Sequence, residues 1–241
     1  MTDTTAHPPI ATRGEWLAAR RTLLAREREL TKARDAVNAQ RRRLPMVSVD
    51  KTYVFDSPDG EKTLLDLFEG RRQLVVYHFM FDPGWEKGCP GCTGFVDTLG
   101  DLSLLAARDT SFAIIARAPL EKLQVYRAAK GWQRTLTSSY HTDFNYDFHA
   151  TQDEAVAPVE HNYHDKAELE QRGQARFARG ENHGISVFFR VDDAVFHTYS
   201  TFARGTEGVA SAVSMLDLTP FGRQEDFEDS PEGWPQRPTY G

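Results

Sequence analysis

The alternation of apolar and polar positions divides the chain into a helical N-terminal stretch and a body in which strands and helices alternate. Over residues 13–43, Trp16, Leu17, Leu23, Leu24, Leu30 and Val37 recur at helical spacings, and Pro45 ends the run. This predicts an amphipathic helix over 13–44, preceded by a polar, proline-containing segment, 1–12, expected to be disordered. From Leu44 the period changes. Val47–Val54 reads as a strand, Ser57-Pro58-Asp59-Gly60 as a turn, and Leu64–Phe68 as a short helix closed by Gly70. Gln73–Phe79 is a nearly continuous apolar, β-rich run, the pattern of a central strand covered on both faces. A loop over 82–88 leads into a helix expected to run to about Ala107. Phe112–Arg117 follows as a strand, and Pro119 can open a helix to about Lys130.

Residues 149–183 are polar with weak periodicity and read as an insertion. Gly184–Arg190 and Ala194–Thr201 are strands joined by the hairpin signal Val191-Asp192-Asp193, and a last helix is expected from about Thr206 to Leu216. The tail 217–241 has six acidic residues against two basic ones and is rich in Pro and Gly, so it is expected to wrap the surface. This order of elements predicts an α/β protein. Its βαβ portions should give parallel pairs by right-handed crossover, and the hairpin an antiparallel strand. The expected architecture is one three-layer α/β/α domain with a mixed sheet over 45–216, with an N-terminal helical arm and a polar insertion before the final hairpin.

At 241 residues, 40% of them hydrophobic, with a net charge of −6, the chain is too apolar to be disordered and too poor in cysteine to be a disulfide scaffold. The longest apolar run, Leu74–Phe81, is far short of a membrane span, and the start MTDTTAHPPI carries no secretory pattern. The expectation is a cytoplasmic protein without a membrane partner. Residues 13–43 carry ten basic residues against four acidic ones, which leaves −12 on the rest. Glu15, Glu27, Glu29 and Asp35 interrupt that basic run, and the overall acidity argues against nucleic acid as a partner. The helix then reads as an arm that packs on the body or on a second subunit, so a homodimer through it is expected.

The two cysteines, Cys89 and Cys92, form a single CxxC. In a reducing compartment such a pair reads as redox chemistry or half a metal site. Between an apolar strand and a helix, Cys89 falls at the N-cap and Pro90 at the first helical position. Unpaired N–H groups and the helix dipole then stabilise a Cys89 thiolate, and Cys92, one turn on, can resolve a mixed disulfide. A peroxidase, with Cys89 oxidised by peroxide and Cys92 resolving it, needs the same parts. The third reading is a non-catalytic zinc or interaction protein. Its further ligands would come from His161 and His164 in HxxH spacing, or from Ser186.

The strings Leu74-Val-Val-Tyr-His-Phe-Met-Phe81, Gly88-Cys-Pro-Gly-Cys92, Phe196-His-Thr-Tyr-Ser-Thr201, Arg204-Gly205 and Leu216-Asp-Leu-Thr-Pro-Phe-Gly-Arg223 resemble domain-of-unknown-function family 899 (DUF899). The resemblance runs from about Trp16 to the C-terminus. It implies a thioredoxin-like fold and a dithiol–disulfide oxidoreductase acting on a protein or small-molecule disulfide, with a cellular thiol as reductant. Proline in the second slot of the CxxC resembles glutaredoxin and DsbA-type proteins, while the stretch before it and Gly60–Leu67 resemble thioredoxin-like peroxidases. Where thioredoxins carry a cis-proline before the hairpin, this chain has Gly184-Ile185-Ser186-Val187, so Ser186 stands in its place and implies a hydroxyl near the sulfurs.

Other side chains are candidates for the site wall. Trp85, four residues before the motif, could cover it or simply be a buried loop aromatic. His78 could lie beneath the site or be a satisfied core histidine. Arg117, at a strand end, could stabilise the thiolate or stay solvated. His197, with Tyr199 and Arg204, could line the site or pack within the hairpin. Asp143-Phe-Asn-Tyr-Asp147 lacks the glycine and distal glutamate of a calcium loop, and its aromatics point to packing. The chain contains no phosphate-binding glycine loop, so no nucleotide cofactor is expected.

Overall fold

The computed structural model describes residues 6–238, so parts of the segments 1–12 and 217–241 lie outside the described residues. The chain divides into two compact units, one made of the chain before Met46 and after Ala212, the other of Met46–Ala212. In the first, helix α1 (Arg13–Arg41) begins with a capping box. Thr12 accepts from the Glu15 backbone N–H while the Glu15 carboxylate accepts from the Thr12 N–H. None of its residues is buried, and Trp16, Leu23, Leu30 and Val37, seven residues apart, lie exposed. No helix among the described residues is long and apolar enough to cross a membrane.

The second unit begins with strands β1 (Val47–Ser48), β2 (Val54–Ser57), β3 (Gly60–Thr63) and β4 (Gln73–His78). Helices α2 (Pro90–Asp97) and α3 (Ser103–Ala106) follow, then β5 (Thr110–Ala116), α4 (Leu120–Lys130), β6 (Leu136–Ser138) and α5 (Phe144–Asp147). Short pieces come next: β7 (Thr151–Gln152), β8 (Glu160–His161), β9 (His164–Asp165), α6 (Lys166–Gln171) and β10 (Gly180–Glu181). The chain closes with the hairpin β11 (Gly184–Val191) and β12 (Ala194–Phe202), then α7 (Ser211–Leu216).

Eight strands form one mixed sheet in the order β1-β12-β11-β4-β5-β6-β2-β3. Strands β4, β5 and β6 are parallel, and β11 pairs antiparallel with both β4 and β12. The order hairpin–first strand–second strand, with a helix crossing from β4 to β5, is the thioredoxin-like arrangement expected from the sequence. Because side chains alternate across a sheet, β4 sorts its residues into two cores. Leu74 and Val76 join Phe55, Phe144 and Phe188 on one face; Tyr77 and Phe79 join Ile114, Leu123 and Cys92 on the other. Helices α2 and α4 cover the second face. The first carries α5 and the 3-10 turn at Asp66–Phe68.

Three elements differ from expectation. The strand expected over Val47–Val54 is two strands at opposite ends of the sheet. The polar Asp50-Lys51 breaks it, and Lys51 is drawn to Asp143 and Asp147 at 2.7 and 2.8 Å. The helix expected from the CxxC to Ala107 stops at Asp97. The Thr98 hydroxyl turns back onto the Phe95 carbonyl at 2.8 Å, and Asp101 starts α3 by accepting from the Ser103 N–H. The last helix is a 3-10 segment over Ala203–Val209 followed by α7. Gly205 sits so close to the Thr201 side chain that any Cβ would collide.

Candidate active site

The dithiol is set by three local features. Strand β4 ends at His78, and Gly88 packs against the Phe79 ring so tightly that a Cβ would lie 2.5 Å from it, which brings the loop back over the strand end. There the Cys89 N–H donates to the Met80 carbonyl at 3.0 Å. Cys89 is then the N-cap of α2 and Pro90 its first residue, where a missing N–H costs nothing. The Thr93 hydroxyl donates to the Cys89 carbonyl at 2.8 Å and also pairs with the Tyr126 hydroxyl at 2.7 Å, which pins the first turn.

Both cysteines are free thiols, Cys89 half-buried and Cys92 buried. Their environments push them apart. The Cys89 thiol is lowered from 9.0 to about 6, first by the hydrogen bond from the Cys92 side chain, then by the backbone N–H groups of Cys92 and Gly91; burial opposes the shift. Cys92 is pushed well above the usual thiol range, mainly by burial and by the charge and hydrogen bond of Cys89. The Tyr77 hydroxyl and the Met80 backbone hydrogen-bond to Cys92 and pull it partly back. Tyr77 is itself buried and stacks on Phe95 of α2 with ring centroids 4.2 Å apart. Sequence reasoning passed over Tyr77. The available signal was alternation: from Phe79, which leads into the loop, one step of two along β4 lands on Tyr77.

The other candidate residues lie in different surroundings. Pro90 is beside Cys89 and exposed. Trp85 is 38% exposed, and its backbone takes part in the loop's own bonding: its N–H donates to the Asp82 carbonyl, and its carbonyl accepts from Lys122. Arg117 is bound by two carboxylates, Asp82 of the loop and Glu181 of β10 at 2.6 Å, with the Tyr146 hydroxyl at 3.2 Å. Glu181 in turn accepts from Thr151 at 3.0 Å. The guanidinium therefore locks loop to insertion rather than facing a sulfur.

His78, Ser186 and His197 are brought together, but on the sheet face opposite the dithiol. Ser186 lies across from Val76 in the register, so it shares that residue's face, while Ile185 is the hairpin residue that joins the cysteines. The hydroxyl expected near the sulfurs is thus turned away from them by the two-residue period of the strand. Instead the His78 Nε2, Ser186 Oγ, Ser200 Oγ and His197 Nε2 form a chain with contacts of 2.8, 2.8 and 2.7 Å. His78 is buried and stacks on Phe144; burial lowers it to about 3. His161 packs flat on Phe177, away from the cysteine cluster. Among the described residues, no three His, Cys, Asp or Glu side chains converge in a metal-binding group.

Strand order and a dithiol at the head of the helix that follows the central strand define a thioredoxin-like protein. The chain belongs to the family described as bacterial protein of unknown function (DUF899), whose model it matches over residues 5–240. Solved structures resemble it more loosely. PrxQ of Xylella fastidiosa has a TM-score of 0.44 at 12% identity, covering 71% of this chain and 96% of that one. Peroxidoxin BcpB of Mycobacterium tuberculosis has 0.44 at 13%, covering 73% and 97%. Peroxiredoxin Q of Xanthomonas campestris has 0.43 at 15%, covering 71% and 95%. No curated protein matches the chain.

Proposed function

We propose that this protein is a thiol–disulfide oxidoreductase in which Cys89 attacks and Cys92 resolves. The observation that carries the reading is the asymmetry of the pair: a half-exposed thiol lowered to about 6 beside a buried one held high. At pH 7 a pKa of about 6 leaves about 90% of Cys89 as thiolate, against a few per cent for an unperturbed thiol. The Cys89 thiolate attacks one sulfur of a substrate disulfide, forms a mixed disulfide and expels the other half as thiolate. Cys92 then gives up its proton and attacks the Cys89 sulfur. The internal disulfide forms, the second substrate half leaves, and two electrons have passed to the substrate. Tyr77 supports the second step, because its hydroxyl stabilises the Cys92 thiolate that must form inside an apolar wall. A cellular thiol returns the dithiol by the reverse chemistry. Arg117, the arginine weighed as a partner of the sulfurs, is already held by Asp82 and Glu181, which favours disulfide exchange over a peroxide reduction that would call on its guanidinium.

The proposal includes self-association through α1. Trp16, Leu23, Leu30 and Val37 form a seven-residue repeat flanked by Glu15 and Arg20 and by Glu29 and Arg34, which can pair across a parallel two-stranded seam. A monomer in sedimentation at about 100 μM removes this part of the proposal.

The test is differential alkylation with intact-mass readout across pH on wild type, Cys89→Ser and Cys92→Ser, with titration in defined glutathione buffers. A low-pKa Cys89, a protected Cys92 and one reversible two-electron transition are expected. Two thiols that alkylate only above pH 8.5 and show no shared transition overturn the reading. Reaction of Cys89 with hydrogen peroxide much faster than with disulfides replaces it with the peroxidase reading.

A further inference from the structure

On the sheet face away from the dithiol, a cavity of about 370 Å³ opens between the loop after β1, α5, the insertion and β12. Its size is that of a small-molecule site. Four aromatic side chains wall it: Tyr53, Phe148, Tyr163 and Phe202. Tyr53 and Phe148 meet edge-on with centroids 5.9 Å apart, and Tyr163 and Phe202 at 6.4 Å. An aromatic enclosure presents ring faces that attract cations.

Accounting for the polar groups in this wall gives the chemistry of the occupant. Most of the donors are spent on the protein, Lys51 keeping one N–H of its three. The Tyr53 hydroxyl donates to Asp147 Oδ2 at 2.8 Å, and Lys51 Nζ is shared between Asp143 and the same oxygen of Asp147. The Tyr163 hydroxyl donates to the Ser200 carbonyl at 2.9 Å. The Ser200 hydroxyl belongs to the serine–histidine chain, within contact of both Ser186 and His197. What remains is acceptor capacity. Asp147 keeps its second oxygen, and Glu160 makes only a 3.5 Å contact with His149 Nε2. Asp50 adds a third carboxylate against the single ammonium of Lys51.

We infer that this cavity, with aromatic walls and unspent carboxylates at its rim, binds an organic amine: a small molecule with an apolar or aromatic body and a protonated amino group. The ammonium sits between Asp147 and Glu160, where it gains charge-assisted hydrogen bonds, and the body lies against Phe148 and Phe202. A carboxylate-bearing molecule of the same shape meets the like charge of three carboxylates against one ammonium, Lys51, which Asp143 and Asp147 already hold. A neutral alcohol keeps the apolar contact and loses the ionic one. The sheet separates this site from the cysteines, so binding is independent of the redox state of the pair.

The test uses the full-length protein and three probes of one shape: 2-phenylethylamine, 2-phenylethanol and phenylacetate, with affinities measured by calorimetry or ligand-observed NMR. The amine is expected to saturate one site, the alcohol to bind about tenfold more weakly, and the acid not to saturate. Glu160→Gln should weaken the amine at least about fivefold and leave the alcohol unchanged. Among the described residues the half-exposed Glu160 side chain pairs with His149 alone, at 3.5 Å, so this variant should fold as wild type. Asp147→Asn is the second variant, with its unfolding midpoint measured because it also holds Lys51 and Tyr53. Cys89→Ser should bind the amine as wild type does, which separates this outcome from the fate of the redox reading. Failure of both 2-phenylethylamine and cyclohexylamine to saturate by about 10 mM overturns the proposal. So does equal binding of phenylacetate, or an amine affinity unchanged in both carboxylate variants.

Discussion

Replacing Cys92 by alanine isolates the interaction that lowers Cys89. The thiol moves from 9.0 to about 6, a net drop of about three units, while burial pushes the other way. The three hydrogen bonds that lower it, from the Cys92 side chain and from the backbone of Cys92 and Gly91, must together outweigh burial. The Cys92 side chain is the largest of them, so the lowering depends on it more than on either backbone group. Cys92→Ala keeps the backbone donors and should raise Cys89 from about 6 toward the ordinary thiol range, so the thiolate fraction at pH 7 falls well below about 90%. Cys92→Ser, whose hydroxyl still donates, should stay nearer to wild type. The assay is pseudo-first-order iodoacetamide alkylation of the fully reduced proteins from pH 4.5 to 9.5, followed by intact mass. A Cys89 midpoint still near 6 in the alanine variant refutes the reasoning and assigns the shift to the backbone N–H groups and the helix end. A wild-type midpoint near 9 refutes the site geometry itself.

Other expectations follow from the same contacts. Tyr77→Phe removes the hydroxyl that stabilises the Cys92 thiolate. Closure of the internal disulfide should slow and the mixed disulfide with a model substrate accumulate, with the Cys89 alkylation midpoint unmoved. Arg117→Met strands the Glu181 carboxylate, whose side chain is 1% exposed, and should cost about 3–5 kcal/mol in urea unfolding; adding Glu181→Gln should recover part of it, and additive losses would contradict the pairing. His78 and His161 are lowered to about 3 and about 4, mainly by burial. Between those values and an unfolded pKa of about 6.5 the unfolded chain binds more protons, so their contribution is complete above about pH 6.5 and is lost as pH falls. Each group then removes about 1.4 kcal/mol per pH unit in that window. A urea stability that does not change between pH 6.5 and 5 would rule out neutral buried histidines.

What the sequence made legible was whatever rests on short-range pattern. The apolar run of β4, the turn at Ser57–Gly60 and the hairpin β11–β12 recur in the structure because strand period, glycine at positive φ and two-residue loops are local properties. The thioredoxin-like strand order followed from the sequence of these elements together with the resemblance. The strand expected over 47–54 failed for a non-local reason. The polar Asp50-Lys51 interrupts it, and the chain leaves one end of the sheet and joins the other with Lys51 bound to two carboxylates more than ninety residues away, a contact that leaves no trace in the local pattern. The insertion is equally non-local: it contributes Glu181 to Arg117 and Tyr163 to a cavity, and neither contact leaves a periodic trace.

The site residues divide along the same line. Cys89, Pro90 and Cys92 are contiguous, and their geometry is that of a helix start, so spacing alone positioned them relative to one another. His78 is a candidate neighbour of the sulfurs through its position on the central strand, and Ser186 through the place where thioredoxins carry a cis-proline. Nearness along a strand does not fix the face. Tyr77 and His78 are adjacent in sequence and belong to opposite cores, one hydrogen-bonded to Cys92 and the other to Ser186. Counting by two from Phe79 assigns Tyr77 to the dithiol and sends His78 to the far side. The same count along β11, where Ser186 faces with Val76 and Ile185 with Tyr77, turns the hydroxyl away from the cysteines. One sheet thus carries two separate polar sites: a pair of thiols under α2 and α4, and across the strands a serine–histidine chain that ends at an aromatic, acid-rimmed cavity.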